Sequence, residues 1–588
     1  MKLIMSLVLR VIISFGALLL LFEDISWQFL FCGSILSFFI IGIHFFTIRY
    51  HKIPLSNVLN MIIGILSVFY TFSILSLSTI EEIAHKKIEV VCLMLLFYLF
   101  LGDITKVISS QQKKKESKRI RFYIFFSSFF LSSLLYLWAF YPGILVPDSI
   151  NQWNQIHSSI PWNDWHPVGH TMMIKIMTYF GDQLVTFVLF QVIFYSFVMG
   201  QIFDFLQGFL SKKMVVSFLL YFTLVPIFPL SSIYVVKDSL YTYFLVWNIL
   251  LLIKIISSKG IWLRGKFNLL MLMISILGVL FFRHNGWPVF LVSIFILALF
   301  FRKGYLRFYL ISILCIGIYL FTTGPIYSHF KVIQSDPTES FGIFVQISAA
   351  VIKHDGNISL NEEKYLYSIM DEKDWKELYD PRDVDKIKFK ERFDKEILKE
   401  NPRKFLLNAL SLSIKNPVIA LKAYLLQTEI LWHTNMELMN MRPIFRKPLI
   451  GKQGPFYFMR QAEIKKYKPD YKGMVIQPSK YQNNYLNRTL SQFLKYIEEK
   501  GLYLFLMPAL YFCIFMFSLI VLWWQGAFKL TLAFTPFLLN LGTMFVAIPA
   551  QDVRYAFPNY FIAFISFALA WGYYKNAKDQ KIEGNEKV

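Results

Sequence analysis

Several features that point to common chemistries are scarce or missing in this sequence. Only four of the 588 residues are cysteines, and all four lie inside apolar runs (Cys32, Cys92, Cys315 and Cys513). Cysteines in such positions form neither an exported disulfide framework nor a thiolate metal site, so they indicate packing. There is also no phosphate-cradling P-loop, no GxSxG elbow, no HExxH helix and no dinucleotide fingerprint. The chain therefore lacks the signatures of the common nucleotide-dependent enzymes, serine hydrolases and zinc proteases.

Acidic residues are few relative to basic ones. The chain has 38 Asp and Glu against 60 Lys and Arg, which gives a formal net charge of +22. The sequence is nevertheless 56% hydrophobic, and long runs carry no charge at all, which is typical of a polytopic membrane protein. In such a protein the basic excess usually lies in cytoplasmic loops that contact anionic lipids, so we expect no nucleic-acid partner.

The apolar runs predict an all-α chain with about fourteen transmembrane helices. The densest basic cluster between two runs, at 113–121, should be cytoplasmic, and one orientation then puts every short basic loop and both termini inside. The first run carries Arg10 and no small-residue cleavage site, so it is interpreted as a retained span. The predicted spans lie near 5–22, 26–48, 56–78, 88–102, 122–141, 184–206, 214–233, 238–256, 267–282, 285–301, 305–323, 501–524, 527–549 and 556–574.

Charge patterning divides the chain into four regions. These are the first spans and a basic loop at 1–121, a membrane core at 122–323, a mostly helical extracytoplasmic domain at 324–500, and the last spans with a short tail at 501–588. Within the third region, Ser359 to Glu362 predicts a capping box, and Asn401-Pro402 and Asn416-Pro417 predict helix breaks. The segment 418–432 is apolar but short and contains Lys422, so we expect a buried or interfacial helix. The basic, aromatic stretch 441–480 fits a solvated surface better than a phosphate or sugar site.

A polar loop, 142–183, faces outward in this topology and lies between two spans. Pro147, Asp148 and Ser149 predict the start of a short helix that runs through His157, and Pro167 fits the first position of a second helix. The second helix should lie in the membrane interface, because its apolar residues recur at helical spacing. These residues are Met173, Ile176, Met177 and Phe180.

Three further charged signatures fall at outward-facing span ends. They contain Lys237, Arg283 with His284, and Arg554 with Tyr555. Ionisable residues at membrane depth are costly and mark functional sites by default, although a long cationic side chain near a span end can also snorkel to the headgroups. The signatures could share one vestibule with Asp148.

An enzyme on the outer face has no nucleotide pool, so an activated group must arrive on a lipid. Displacing a lipid phosphate from a sugar carbon needs a carboxylate to take the acceptor's proton and cations to neutralise the leaving phosphate. Asp148 can be the base, and Lys237, Arg283 and Arg554 can hold phosphate. The structural alternative for Asp148 is a helix cap, because an Asp after Pro at a helix start is most often a cap.

The order of these parts resembles the GT-C superfamily of polyprenyl-phosphate-sugar-dependent glycosyltransferases. The motifs PGxxxxDSxxQ, DWHP, VKDS, RHNGW and DVRYAFP resemble, more closely, an uncharacterised family of bacterial membrane proteins placed near that superfamily. The resemblance covers the chain from about Tyr141 onward. It implies a GT-C-like helical core, Asp148 as the catalytic base, and Arg283 and Arg554 as donor-phosphate ligands. Many members carry paired acidic residues at the loop, whereas here Ser149 follows Asp148.

The sequence thus predicts a multi-pass protein of the cell membrane, in a bacterial plasma membrane, that moves a sugar from a polyprenyl-phosphate donor to a cell-envelope acceptor such as a glycan or glycolipid. The substrate-binding candidates are Gln152, His166, Lys237, Arg283, His284, Arg554 and Tyr555. The sequence specifies no cofactor with certainty; if a divalent cation such as Mg²⁺ or Mn²⁺ is bound, Asp148, His166 and His170 would hold it. The alternatives are an arginine-based polymerase or ligase of lipid-linked oligosaccharides, a transporter or flippase, and a scaffold without catalysis.

Overall fold

The structure, a computed structural model, describes most of the chain after residue 121. The described residues are 64–65, 67, 95, 98, 122–157, 161–181, 183–302, 304–434, 441–442, 451–452, 475–476, 482–499 and 502–585. The first four predicted spans and the basic cluster at 113–121 therefore lie outside the described residues, apart from a few isolated positions. Most of the basic stretch 441–480 lies outside them as well.

The membrane core is built mainly from apolar helices, apart from the polar helix Pro147–His157. Its bounds are α1 Phe122–Ala139, α2 Pro147–His157, α3 Val168–Thr178, α4 Leu184–Leu206, α5 Lys212–Leu224, α6 Ile227–Ile233, α7 Lys237–Ser257, α8 Lys266–Phe281, α9 Gly286–Phe300 and α10 Leu306–Phe321. A π-helical turn, Thr322–Ile326, and the short α11, Tyr327–His329, continue α10. Helix α7 lies at the centre, since residues along its whole length are buried, as expected for a helix without a polar face.

A second group of helices follows, with its own hydrophobic core. These are α12 Gly342–Lys353, α13 Leu360–Ile369, α14 Glu372–Leu378, α15 Asp385–Lys388, α16 Lys395–Glu400, α17 Pro402–Lys415, α18 Pro417–Gln427 and α19 Glu429–Trp432. Helices α12 to α18 share a core that extends from Ile343 to Ala423 and contains the fully buried Trp375, whereas Ile430 and Leu431 of α19 pack in the core of the membrane helices. The predicted capping box is present, because Ser359 N–H donates to the Glu362 carboxylate at 2.8 Å. Asn401-Pro402 and Asn416-Pro417 separate helices as predicted.

The C-terminal part returns to the membrane core. It contains α20 Asn484–Glu499, α21 Pro508–Trp524, α22 Phe528–Thr531, α23 Thr535–Ala547 and α24 Phe557–Asn585. Short 3-10 turns occur at Ile261–Arg264, Pro337–Phe341, Leu502–Leu506, Leu532–Phe534 and Val553–Ala556. The only strands among the described residues are β1 Gly451–Lys452 and β2 Val475–Ile476, which pair antiparallel. Helices therefore dominate the described chain, and its β structure is limited to this pair of two-residue strands and a few isolated bridges.

Six helical segments of the described chain are long and apolar enough to cross a membrane. They are Phe122–Ala139, Leu184–Leu206, Lys237–Ser257, Leu306–His329, Phe528–Ala547 and Val553–Gly572. The count rises to eight if each of two bent pairs is one span: α5 with α6, bent by 53°, and α17 with α18, bent by 113°. The predicted spans at 267–282, 285–301 and 501–524 appear as the shorter apolar helices α8, α9 and α21. By length and composition, these segments indicate a multi-pass membrane protein.

The two helices predicted in the loop after α1 are both present, with two corrections. Helix α3 begins at Val168, so Pro167 lies just before it and not at its first position. Its exposed apolar residues are Met172, Ile176, Tyr179 and Phe180. Met173 and Met177, which the prediction placed on the membrane side, pack instead against the core. The apolar face is therefore rotated by about one residue, because the inner side of α3 is needed for packing.

Candidate functional site

Ser149 makes the local hydrogen bonds at the start of α2, so the carboxylate of Asp148 is available for other contacts. Val146 N–H donates to Ser149 Oγ at 2.9 Å, and Ser149 Oγ donates back to Val146 O at 3.0 Å. Asp148 is the second residue of the helix, and its carboxylate is directed to a distant part of the chain. The interpretation of Asp148 as a simple cap does not fit this geometry.

The partner of Asp148 is Arg554, which lies just before α24. Arg554 Nη1 donates to Asp148 Oδ2 at 2.7 Å, and both side chains are nearly buried. The guanidinium is oriented from behind by Asp552, whose Oδ2 lies 3.1 Å from Arg554 Nε. Burial alone would raise the pKa of Asp148, but the charges of Arg554 and Lys237 together with the Arg554 hydrogen bond hold it well below its usual range. In this state Asp148 is an ionised carboxylate with low proton affinity.

His166 and Lys237 complete the same side of the site. Lys237 Nζ lies 3.1 Å from His166 Nδ1, which in turn is 3.9 Å from Asp148 Oδ2. An ammonium group can only donate, so Nδ1 of His166 must be the acceptor and the imidazole is neutral. Burial and the adjacent Lys237 charge lower the pKa of His166 well below its usual range.

Arg283 lies near the same tyrosine ring, Tyr555, as Arg554. Its guanidinium carbon lies 5.9 Å from the Tyr555 ring centroid, and that of Arg554 lies 5.1 Å from the same centroid. Arg283 Nη1 also lies 3.3 Å from Asp238 Oδ1, on the first turn of α7. The sequence-predicted Asp148, Arg283 and Arg554 are therefore brought together, since Arg554 pairs with Asp148 and shares the Tyr555 ring with Arg283. We call Asp148, His166, Lys237, Arg283 and Arg554 the charged cluster.

Gln152 and His170 hold the loop together. His170 Nδ1 contacts Gln152 Oε1 at 2.8 Å, and Gln152 Nε2 donates to Thr171 Oγ1 at 3.0 Å, so the pair ties α2 to α3. Burial lowers the pKa of His170 to about 3. Both amide atoms of Gln152 have partners in the protein, so this residue positions the loop, and its role in substrate binding stays a prediction.

The metal site suggested by the sequence is not formed. No three His, Cys, Asp or Glu side chains within the described part of the chain are arranged to hold a metal ion. Around Asp148 and His166, the positive charge is supplied by Arg554 and Lys237. His170 faces Gln152 and the rings of Phe187 and Phe282. Asp148, His166 and His170 therefore each have a different main partner. The positive charges of Arg554 and Lys237 would repel a metal ion at this place.

His284 pairs with a residue that the sequence patterns did not single out. His284 Nε2 lies 3.2 Å from Asp164 Oδ2, and Asp164 Oδ1 accepts the Val168 N–H at 3.1 Å. Asp164, three residues before the N-cap Pro167, therefore satisfies the first backbone N–H of α3. The signal that could have identified Asp164 in the sequence was its position as an acidic residue shortly before a predicted helix start. The side chain of His284 is 41% exposed, so it is more open than the nearly buried side chains of Asp148 and Arg554.

The second helical group reaches the site through the segment that carries Arg554. Arg442 donates to Asp383 at 3.1 Å and to Asp385 at 2.8 Å, and its backbone N–H donates to Gln551 O at 2.8 Å. Val384 N–H donates to Pro549 O at 3.0 Å. The sequence patterns did not reveal Asp383 and Asp385, because only the fold brings these residues near the site. The sequence analysis had also placed Arg442 on a solvated surface.

A comparison with family models finds one match in the region that contains most of this site. The model described as "Family of unknown function (DUF6020)" matches residues 159–584. The chain belongs to this family. Most of the charged cluster lies inside the matched region, whereas Asp148 and Gln152 precede it. No curated protein and no solved structure matches the chain.

Proposed function

We propose that this DUF6020 protein is a membrane glycosyltransferase that moves a sugar from a polyprenyl-phosphate donor to a cell-envelope acceptor on the outer face of the membrane. The observation that carries the proposal is the convergence of Asp148, Lys237, Arg283 and Arg554, which come from four separate segments, at one end of an apolar helical bundle. Cations held in a largely buried site at a membrane edge suit an anionic lipid headgroup.

The proposed reaction divides its tasks between the residues of the charged cluster. An acceptor hydroxyl oxygen bonds to the anomeric carbon of the sugar, while the bond from that carbon to the phosphate oxygen breaks and its electron pair leaves with the phosphate. Arg283 and Arg554 neutralise the charge that develops on the phosphate, with Lys237 nearby. Asp148 takes the proton from the acceptor hydroxyl.

The Asp148–Arg554 ion pair makes this reaction depend on donor binding. While Arg554 holds Asp148, the carboxylate is a weak base, because the positive charge favours its ionised form. A donor phosphate is a competing acceptor for the same guanidinium. Once phosphate occupies Arg554, the pKa of the buried Asp148 rises, and the carboxylate can accept a proton where the acceptor stands.

The proposal includes a topology and a fold that go beyond the helices described. It places the charged cluster on the outer face, both termini in the cytoplasm of a bacterial cell, about fourteen spans in the membrane, and a GT-C-like core around α7. It is supported by the distribution of basic loops, which agrees with one orientation. Anionic lipids would contact those loops.

The test uses the full-length protein purified and reconstituted in lipid with a panel of polyprenyl-phosphate sugars. We expect wild-type protein to release polyprenyl phosphate and form a glycosylated product, and Asp148→Asn to lose this activity. The matched control is Asp374→Asn, since Asp374 is also a buried Asp with an arginine Nη1 at 2.7 Å, but in the second helical group. Transport of the intact donor without product would contradict the proposal and favour a flippase.

One observation favours a second candidate, the arginine-based polymerase or ligase of lipid-linked oligosaccharides. Asp148 is already paired with Arg554, whereas two arginines lie near the Tyr555 ring. In such an enzyme the arginines alone would bind the lipid pyrophosphate or phosphate. An Asp148→Asn variant that retains transfer, together with inactive arginine variants, would support this candidate.

A further inference from the structure

The second helical group has an exposed apolar surface that belongs to neither its core nor the membrane core. The surface is formed by five residues of α17 and α18, and we call it the apolar elbow: Leu407, Leu410, Ile414, Val418 and Leu421. Ile414 and Val418, on either side of the break, are the most open, at 79% and 77% exposed. The spacing of these residues places them on one side of each helix, and exposed apolar side chains grouped in this way mark a contact surface, whereas single ones do not.

The opposite faces of the same two helices explain why this surface is left over. Phe405 and Leu412 of α17, with Ala420 and Ala423 of α18, are buried in the core of the second group, and Ala409 of α17 is buried as well. Both helices are therefore apolar on their inner and outer sides. A helix in a water-soluble domain places polar residues on its outer side, so this pattern indicates that the outer side also meets an apolar medium.

The bend decides what kind of membrane contact is feasible. The pair is apolar enough to pass as one span, but a bend of 113° between α17 and α18 turns the chain back. The break is fixed, because Asn416 exchanges two hydrogen bonds with the backbone of Asn357, at 2.7 and 2.9 Å. A helix pair bent so sharply enters and leaves on the same side.

The end of α18 gives the location of the elbow relative to the bundle. Gln427 Nε2 donates to Ile548 O at 2.8 Å, immediately after the candidate span Phe528–Ala547. The elbow therefore extends from a point at the end of a span. The charges also fit, because the segment 402–427 contains four basic residues and no acidic one: Arg403, Lys404, Lys415 and Lys422. Lys415 is paired with Glu362, while Arg403 and Lys422 are exposed.

We propose that the apolar elbow inserts into the adjacent leaflet of an anionic phospholipid bilayer and fixes the second helical group against the membrane surface. The insertion is interfacial: the apolar residues enter the headgroup and acyl boundary, and the basic residues contact lipid phosphate. This inference does not depend on the proposed transferase activity.

The test measures where the elbow residues lie in a bilayer. Full-length protein in which the four native cysteines are replaced by alanine receives a single cysteine by Ile414→Cys or Val418→Cys and an environment-sensitive dye. Both side chains are exposed, so neither change removes a core contact, and melting in detergent verifies the fold. The control is Glu396→Cys on α16, where the native side chain is 61% exposed and charged. The labelled proteins are placed in nanodiscs of phosphatidylglycerol and phosphatidylcholine.

We expect nitroxide-labelled lipid to quench the dyes at 414 and 418 at least ~2-fold more than the dye at 396, and aqueous iodide to show the reverse order. Quenching by iodide at 414 and 418 equal to that at 396 would overturn the proposal. Protection from both quenchers would overturn it as well, because another protein surface and not lipid would then cover the elbow. The agreement of two positions guards against a local effect of either substitution.

Discussion

Asp148 Oδ2 and Arg554 Nη1 lie 2.7 Å apart, although their residues are 406 positions apart in the chain. The pair joins helix α2 to the short turn that precedes α24. It also joins the proposed base to a proposed phosphate ligand. The donor and the base of the proposed reaction are therefore not independent, and this dependence gives the first prediction.

Replacing Asp148 by Asn should have opposite effects on donor binding and on turnover. Asn is neutral, so Arg554 no longer has a competing carboxylate, and a polyprenyl phosphate should bind about 3- to 10-fold more tightly, the scale of one hydrogen bond worth about 1 kcal/mol. Turnover should fall by at least ~10²-fold, because Asn cannot accept a proton. Equilibrium binding and single-turnover transfer in nanodiscs measure the two effects.

The control for this variant is Asp374→Asn, which removes a similar ion pair with Arg392 outside the site. Its donor affinity should equal that of wild type. Unchanged or weaker donor binding in Asp148→Asn would show that Asp148 and phosphate do not compete for Arg554, even if wild-type protein transfers sugar.

Substitutions of Arg283 and Arg554 should show how much of the donor affinity depends on their charge and how much on the shape of the guanidinium group. Arg283→Ala and Arg554→Ala each remove a cation near Tyr555 and should raise the apparent Kd for a polyprenyl phosphate by about tenfold or more, the scale of a charge-assisted hydrogen bond. Arg554→Lys should recover part of the binding, since lysine keeps the charge without the bidentate fork. Arg392→Ala, in the second helical group, is the matched control. The same affinity in both site variants and the control would remove the two arginines from the donor site.

Asp164 should matter for stability through α3. Asp164→Ala removes the acceptor of the Val168 N–H and the partner of His284, and we expect a loss of about 1 kcal/mol in the free energy of unfolding. Asp164→Asn should retain most of it, because asparagine caps a helix as well as aspartate does. Asp371 precedes α14 without a side-chain cap hydrogen bond, so Asp371→Ala is the control. Equal melting shifts for Asp164→Ala and Asp371→Ala would contradict the assignment.

Glu362 should make stability depend on acidic pH. Burial alone would raise the pKa of its carboxyl, but hydrogen bonds from Lys415 and Ser359 lower it to about 2. The folded state thus favours the ionised carboxylate, and the stabilisation is complete above the ordinary pKa of 4.5 and is lost as the pH falls towards about 2. Melting temperature should therefore drop less between these pH values in Glu362→Gln than in wild type. An identical drop in both proteins would exclude Glu362 as a contributor; the neighbouring Glu363→Gln serves as the control.

Topology can be tested at two described positions. The basic-loop rule places Ser359 outside and Ser257, at the end of α7, inside. In a cysteine-free background, Ser359→Cys should react with an impermeant thiol reagent in intact cells, and Ser257→Cys should react only after the membrane is opened. Labelling of Ser257→Cys from outside would invert the proposed orientation. Ser117, Ser158 and Ser479, the other natural positions for such a test, lie outside the described residues.

The sequence by itself determined the features that depend on neighbours along the chain. The apolar runs specified the helices, since a backbone in lipid must satisfy its own hydrogen bonds. The capping box at Ser359 and the breaks at Asn401-Pro402 and Asn416-Pro417 were also readable, because capping and proline effects extend over only a few residues. The short helices α2 and α3 could be predicted for the same reason.

Only the tertiary structure decided which polar residues meet. The sequence favoured Asp148 as a helix cap, but in the structure Ser149 makes the local hydrogen bonds and the carboxylate of Asp148 accepts a hydrogen bond from Arg554. Asp383 and Asp385 carried no local signal, yet they reach Arg442 beside the segment before Arg554. A buried charge is stable only beside an opposite charge, and the partner is chosen by the packing of helices far apart in sequence, which no local pattern encodes.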